Sequence, residues 1–327
     1  MKRIHRAVLK LSIAALAALA AGAVSAQPKY PDRPIRVIVP FPPGGINDVV
    51  ARPVLQKMGE LLQTSMVIEN RAGAGGTIGA TAAARAEGDG YTLLLGAAST
   101  MAVAPAMYAN PGYAPDKDFS AIGGMAAVPS VLLTAKTDKF KRLDDLVSAA
   151  KAAPGTLTFG SAGAGASQHI QMELLKSRLG ISLTHVPYKG GAPAMTDLLG
   201  GQIDFMLEPV PTAMQHVQAK KLTGLAISKA ARAAALPDVP TFQEAGVADF
   251  LVTTWFGLFA PANVAPPVLR QLEAALTKAL QDPALAKSMQ ERGIDPMPME
   301  AAEFARFAAR ERERWRAVVQ QSGIKAD

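Results

Sequence analysis

The chain of 327 residues contains no cysteine. That excludes a disulfide framework, a lipid anchor on a cysteine and catalysis by a thiol. Histidine is scarce as well, with four in all, and His185 and His216 stand isolated in the sequence. No metal-ligand spacing results, so no metal and no cofactor is expected. Beyond the first residues, no apolar run approaches the roughly 20 residues of a membrane span. No repeat of solenoid length recurs either.

The N-terminus departs from the rest. "MKRIHRAVLK" is basic, "LSIAALAALAAGAV" is apolar throughout, and "VSA" supplies small residues. This is the pattern of a secretory signal peptide over residues 1–26, cleaved after Ala26. The segment holds Lys2, Arg3, Arg6 and Lys10 and no acid, so without it the formal charge is +3 rather than +7. The high isoelectric point is therefore partly an export signal, and a nucleic-acid partner loses its support.

The remaining chain alternates short apolar runs with amphipathic stretches, an α/β pattern long enough for about two domains. "IRVIVPF" predicts a strand and "NDVVARPVLQKMGELL" a helix, with Asn47 as its N-cap, Asp48 in its first turn, and Pro53 kinking it or shifting its start. "SMVIEN", "YTLLLGAAS", "TLTFGSAG", "SLTHVPY", "IDFMLE" and "LTGLAIS" predict further strands. "ASQHIQMELLKSRLG" predicts a helix ending at Gly180. Near the C-terminus Phe304, Phe307, Trp315 and Val318 share a helical stripe. Asp144, Asp145 and "RERERWR" read as solvated helix faces.

Two strand-to-helix turns resemble each other: "IVPFPPGGIND" and "LTFGSAGAGASQH". Ligands of open α/β sheets sit at such turns, outside the carboxyl ends of strands. The first turn of the helix offers free N–H groups and a partial positive charge. Glycine lets the backbone approach closely, a reason for Gly44, Gly45, Gly163 and Gly165. "GAGGTIG" lacks the third glycine of a dinucleotide fingerprint, and "GSAGAGAS" lacks the ending of a phosphate loop. Ser167 and His169, two residues apart, do not face each other as a nucleophile and its base. His169 reads instead as a hydrogen-bonding residue at a helix start.

The ordered stretches "YPDRPIRVIVPFPPGGINDVVAR", "VIENRAGAGGTIGA", "FGSAGAGASQH", "HVPYKGGAPAMTDLLGGQIDFML" and "ALPDVPTFQEAG" resemble the substrate-binding proteins of tripartite tricarboxylate transporters, the Bug receptors. The resemblance implies an α/β type II periplasmic-binding-protein fold, two lobes joined by two crossing segments around a ligand cleft. Crossings near Ala126 and Thr253 would divide it into residues 27–125 plus 254–327 and residues 126–253. It implies a non-enzymatic, monomeric receptor in the periplasm. Such a receptor would hold a small carboxylate and pass it to membrane permease subunits.

The ligand-binding residues implied are Phe41, Pro43, Gly44, Gly45, Asn47, Asp48 and Ser99 on one side. On the other they are Ser161, Gly163, Gly165, Ala166, Ser167, His169, Tyr188 and Glu208. Ile46 and Asn47 stand where the family commonly has a small residue and Thr. Ala166 replaces Ser or Thr, and Glu208 replaces Asp. An ionised Glu208 in the cleft would repel a second carboxylate, which predicts a monocarboxylate, an amino acid or an amide-bearing aromatic acid rather than citrate. A sensing receptor of the same fold and a secreted Ser/His hydrolase remain alternative readings.

Overall fold

A computed structural model describes residues 30–322. The chain divides into a short unit, residues 1–32, and a large one, residues 33–327. Of the first only residues 30–32 are described, so the signal peptide expected over 1–26 lies outside the described residues.

The large unit begins with β1 (Ile35–Val39), α1 (Ile46–Leu62), β2 (Met66–Asn70), α2 (Thr77–Ala84) and β3 (Thr92–Ala97). Then come β4 (Phe119–Thr134), α3 (Leu143–Ala152), β5 (Thr158–Ser161), α4 (Ser167–Leu179), β6 (Thr184–Pro187) and α5 (Gly191–Leu199). The chain continues through β7 (Phe205–Pro209), α6 (Val210–Gln218), β8 (Thr223–Ile227) and β9 (Thr253–Pro261). It ends with α7 (Pro266–Leu280), α8 (Pro283–Glu291), β10 (Asp295–Pro296) and α9 (Ala301–Ser322).

The strands run in the order β2-β1-β3-β9-β4-β7-β5-β6. β1 pairs in parallel with β2 and β3, and β5 in parallel with β6 and β7. Both groups have the strand–helix–strand connection that parallel pairing requires. Ile35, Val37, Ile38 and Val39 of β1 are all buried, as expected of a parallel strand covered on both faces.

The two groups meet through β4. From Phe119 to Pro129 it pairs antiparallel with β9; from Ser130 it pairs with β7, and from Val131 with β8. Its partners on either side thus change between Pro129 and Ser130. The molecule therefore has two lobes, each with its own sheet, sharing one long strand.

Lobe-one packing is tight where α9 crosses the β9–β4 ribbon. A Cβ on Gly257 would lie 2.1 Å from Phe304 Cζ, so only glycine admits that ring. Trp255 meets Phe304 edge-on at 5.6 Å. The "RERERWR" run is only in part the solvated face expected: Arg310, Glu313, Arg314 and Arg316 are exposed, while the residues between them turn inward. Glu311 accepts from the indole N–H groups of Trp255 (3.2 Å) and Trp315 (3.1 Å), and Arg312 is buried, bonded to Asp116. Buried indole N–H groups need acceptors, and the glutamate supplies both. Two further expectations change at α1. The helix runs unbroken through Pro53, and its N-cap is Gly45, with Asn47 buried inside the first turn.

Candidate ligand-binding site

A cavity of about 770 Å³ lies between the lobes, within the range of small-molecule sites. Four helices begin on it: α1 at Gly45, α4 at Ala166, α5 at Gly190 and α6 at Pro209. In none of the four does the N-cap side chain bond the first turn, although Ser, Thr, Asp and Asn are the usual choices. Away from the cavity α2 and α7 also lack such a cap, whereas α8 has one, the Asp282 carboxylate accepting from the Ala284 and Leu285 amides at 2.9 and 3.0 Å. The uncapped termini leave backbone donors and partial positive charge around one space. Among the described lining residues Glu208 is the only acid, and Lys189 and His216 are the other ionisable groups.

On lobe one, Phe41, Pro43, Gly44, Gly45 and Asn47 line the cavity, with Ser99 beside them after β3. Asp48 does not. It is buried behind the turn, accepting from the Gly44 amide (3.0 Å), Arg52 (2.7 Å) and Asn70 (3.0 Å). Burial pushes its carboxyl up, but the hydrogen bonds from Asn70, Arg52 and Gly44 outweigh that and hold it below the usual range. Asn70 also donates to the Phe41 carbonyl at 3.0 Å. Asp48 and Asn70 thus brace the "PFPPGG" turn from inside. Asn47 Oδ1 is buried without a protein partner.

On lobe two, Ala166, Ser167 and Glu208 line the cavity, while Ser161, Gly163, Gly165, His169 and Tyr188 do not. These five build the wall behind it. Ser161 is fully buried; its hydroxyl bonds Gly163 and stands 2.7 Å from His185 Nε2. The Gly165 amide donates to His169 Nδ1 at 3.1 Å, which turns that ring away from the cavity lined by Ser167. Tyr188 donates to Asp197 at 2.7 Å. His185, isolated in the sequence, stacks on His169. Ser161, the serine that His185 meets, is fully buried and does not line the cavity.

Several lining residues were not singled out from the sequence: Gln168, Lys189, Gly191, Thr212 and Thr254. The signal for one group was present. "PYKGGAPAM" has the same strand, Gly-Gly and helix sequence as "PFPPGGIND", and it opens α5.

Glu208 closes the lobe-two wall. Its carboxyl meets Thr212 Oγ1 at 2.5 Å and Gln168 Nε2 at 3.3 Å. Burial drives it up to about 7, against the lowering effect of those two bonds.

The model of the tripartite tricarboxylate transporter family receptor, TctC, matches residues 50–324. The chain belongs to the TctC family. It is 36% identical over 294 residues to BugT of Bordetella pertussis, covering 90% of each chain. An R. palustris protein solved with adipate aligns at TM-score 0.86 and 31% identity, over 90% of this chain and 99% of that one. MatC of Rhodopseudomonas palustris, solved with malate, aligns at 0.82 and 34%, over 89% and 100%. The chain is thus a solute-binding receptor of the TctC family, with the periplasmic-binding-protein fold that its sequence resembles.

Proposed function

We propose that the protein captures a small carboxylate between its lobes and delivers it to the membrane permease subunits of a tripartite tricarboxylate-type transporter. The observation that carries this reading is the convergence of four uncapped helix N-termini on one cavity. Such termini suit an anion, since their free N–H groups point at it without an ionised partner. The TctC relatives solved with adipate and malate support the same ligand class.

The lobes are residues 27–125 with 254–327, and residues 126–253. The ligand contacts are the cavity-facing residues of the two turns together with Ser99 and Glu208; Asp48, Ser161 and His169 act from behind as braces. Closure brings both lobes onto the ligand, so the ligand selects the closed state by its extra contacts there. The receptor acts as an exported monomer in the periplasm and performs no reaction on its ligand.

The test is a thermal-shift screen of carboxylates against their amides. A carboxylate at about 100 times its dissociation constant adds roughly 2.7 kcal/mol of stability. A rise in melting temperature with a carboxylate and none with its amide is expected. Equal shifts with both would overturn the reading.

A further inference from the structure

We propose that Glu208 is held as a neutral carboxylic acid in the loaded receptor, so that binding a dicarboxylate above neutral pH draws one proton from solvent onto it. The inference rests on the carboxylate reading of the cavity and goes beyond it to the ligand's far end.

The first support is a count of protons. Thr212 Oγ1 stands 2.5 Å from Glu208 Oε1 and 2.9 Å from the Pro209 carbonyl. A hydroxyl has one proton and can donate to one of them only. A carbonyl can only accept. With Glu208 ionised, one of the two contacts lacks a hydrogen. With a proton on Glu208 Oε1 the chain closes: Glu208 O–H donates to Thr212, Thr212 O–H donates to Pro209, and Gln168 Nε2 donates to Glu208 Oε2.

The second support is the absence of a counter-charge. Glu208 is 4% exposed, and no Lys, Arg or His nitrogen lies within 4.0 Å of its carboxylate among the described residues. On β4, Ser130, Val131 and Leu132 lie against it and none titrates. On α4 its neighbour is Gln168, while His169 is turned to Gly165. On α5 the nearest residue is Gly191, whose Cβ, if added, would lie 3.5 Å from Glu208 Oε1. On α6 it is Thr212. Lys189 and His216 share the cavity without pairing to it. Burial disfavours the charged form, in keeping with a carboxyl raised to about 7.

A ligand anion strengthens this preference. A second negative charge entering the same space makes ionised Glu208 less favourable still. The proton comes from buffer and forms the Glu208 Oε1–H bond; nothing else changes covalently. The sequence-based expectation was the reverse, an ionised Glu208 that rejects a second carboxylate. The geometry removes its premise.

The probe is malate, anionic at both ends, with the mature full chain. Calorimetry at pH 8 in phosphate and in Tris, which differ in ionisation enthalpy, counts the protons exchanged. Uptake approaching one proton is expected at pH 8, and close to none at pH 5.5. Malate affinity should fall about tenfold per pH unit above pH 8 in the wild type, and be independent of pH in Glu208→Gln. Malate binding at pH 8 without proton uptake would overturn the inference. So would the same uptake in Glu208→Gln. An infrared titration of the ligand-free protein reads Glu208 separately. A carboxylic-acid C=O band at pH 6 that is missing from Glu208→Gln supports the inference, and no difference between the two overturns it. If no carboxylate binds at any pH, the carboxylate reading fails, whatever the infrared spectra report.

Discussion

His169 and His185 lie face to face, ring centroids 3.8 Å apart and planes 7° from parallel. Phe159 continues the stack, 4.9 Å from His185. Two imidazoles so close cannot both be charged at little cost. Burial, then the neighbouring His185 and Lys176, push His169 down to about 3. Its ring is therefore neutral, and the proton sits on Nε2, because Nδ1 accepts from the Gly165 amide at 3.1 Å.

This acceptor is what His169→Phe would remove while keeping the stack. The Gly165 amide would be left buried without a partner, at a cost of about 1–3 kcal/mol. The variant is expected to melt lower and to bind carboxylates more weakly, because the lobe-two turn loses its brace. Thermal denaturation and calorimetry would check this. An unchanged melting temperature would show that the amide finds another acceptor.

His169 and Glu208 tilt stability against pH in opposite senses. His169 has a folded value of about 3 against the usual 6.5, so its contribution is lost as pH falls from 6.5 toward 3. Glu208 has a folded value of about 7 against the usual 4.5, so its contribution is full below 4.5 and lost as pH rises through 7. Between pH 5 and pH 8.5, ligand-free Glu208→Gln is expected to gain on the order of 3 kcal/mol relative to wild type. Urea titrations across that range would measure it; parallel curves for the two proteins would count against a buried, shifted Glu208.

Asn47 offers a test of function set against stability. Its Oδ1 is buried with no protein partner, on the first turn of α1 and at the cavity. Ala is a better helix former and removes the unsatisfied acceptor. Asn47→Ala is therefore expected to melt at the same temperature or higher, and to bind malate less tightly. A variant that is both less stable and equally competent would contradict the placement of Asn47 at the ligand.

Gly45 and Gly165 look equivalent in sequence and are not equivalent in structure. Gly45 has an ordinary extended φ of −81°, and an added Cβ would meet only the Pro42 carbonyl at 3.8 Å. Gly165 has φ +75°, and an added Cβ would lie 2.9 Å from Met107 Sδ. Gly45→Val should fold normally and lose binding by filling the cavity mouth. Gly165→Val should lower the melting temperature as well. Circular dichroism melts beside a binding assay would separate the two.

Much of this was legible in the sequence, because local rules decide it. "IRVIV" followed by a Pro/Gly turn and an apolar periodicity can only be a strand feeding a helix. From that alone followed Gly44 and Gly45 at the cavity; Gly163 and Gly165, singled out in the same way, stand behind it, and Ala166 and Ser167 entered through the family resemblance. The braces did not. Ser161 meets His185 because β5 and β6 pair in parallel, setting Phe159 opposite His185. No local pattern encodes that register. Asp48 looked like a ligand contact because its backbone belongs to the turn; its side chain points the other way, toward Gly44 and Asn70. Glu208 is the sharpest case. Its identity is in the sequence, but its charge state depends on Thr212, Gln168 and burial, which only the assembled lobe supplies.

The shared strand β4 also fixes an order of events in time. Lobe-one strands β3 and β4 take β9 between them, and β9 is made only after β5, β6, β7 and β8. Lobe two needs no such late arrival, since β4 through β8 are consecutive. During synthesis the edge of β3 (Leu94–Ala97) therefore stays bare until Phe256–Phe259 arrives. A bare apolar strand edge is a template for pairing with another chain. The receptor's most vulnerable species is thus a half-built one, with lobe two folded and lobe one waiting for its C-terminal part.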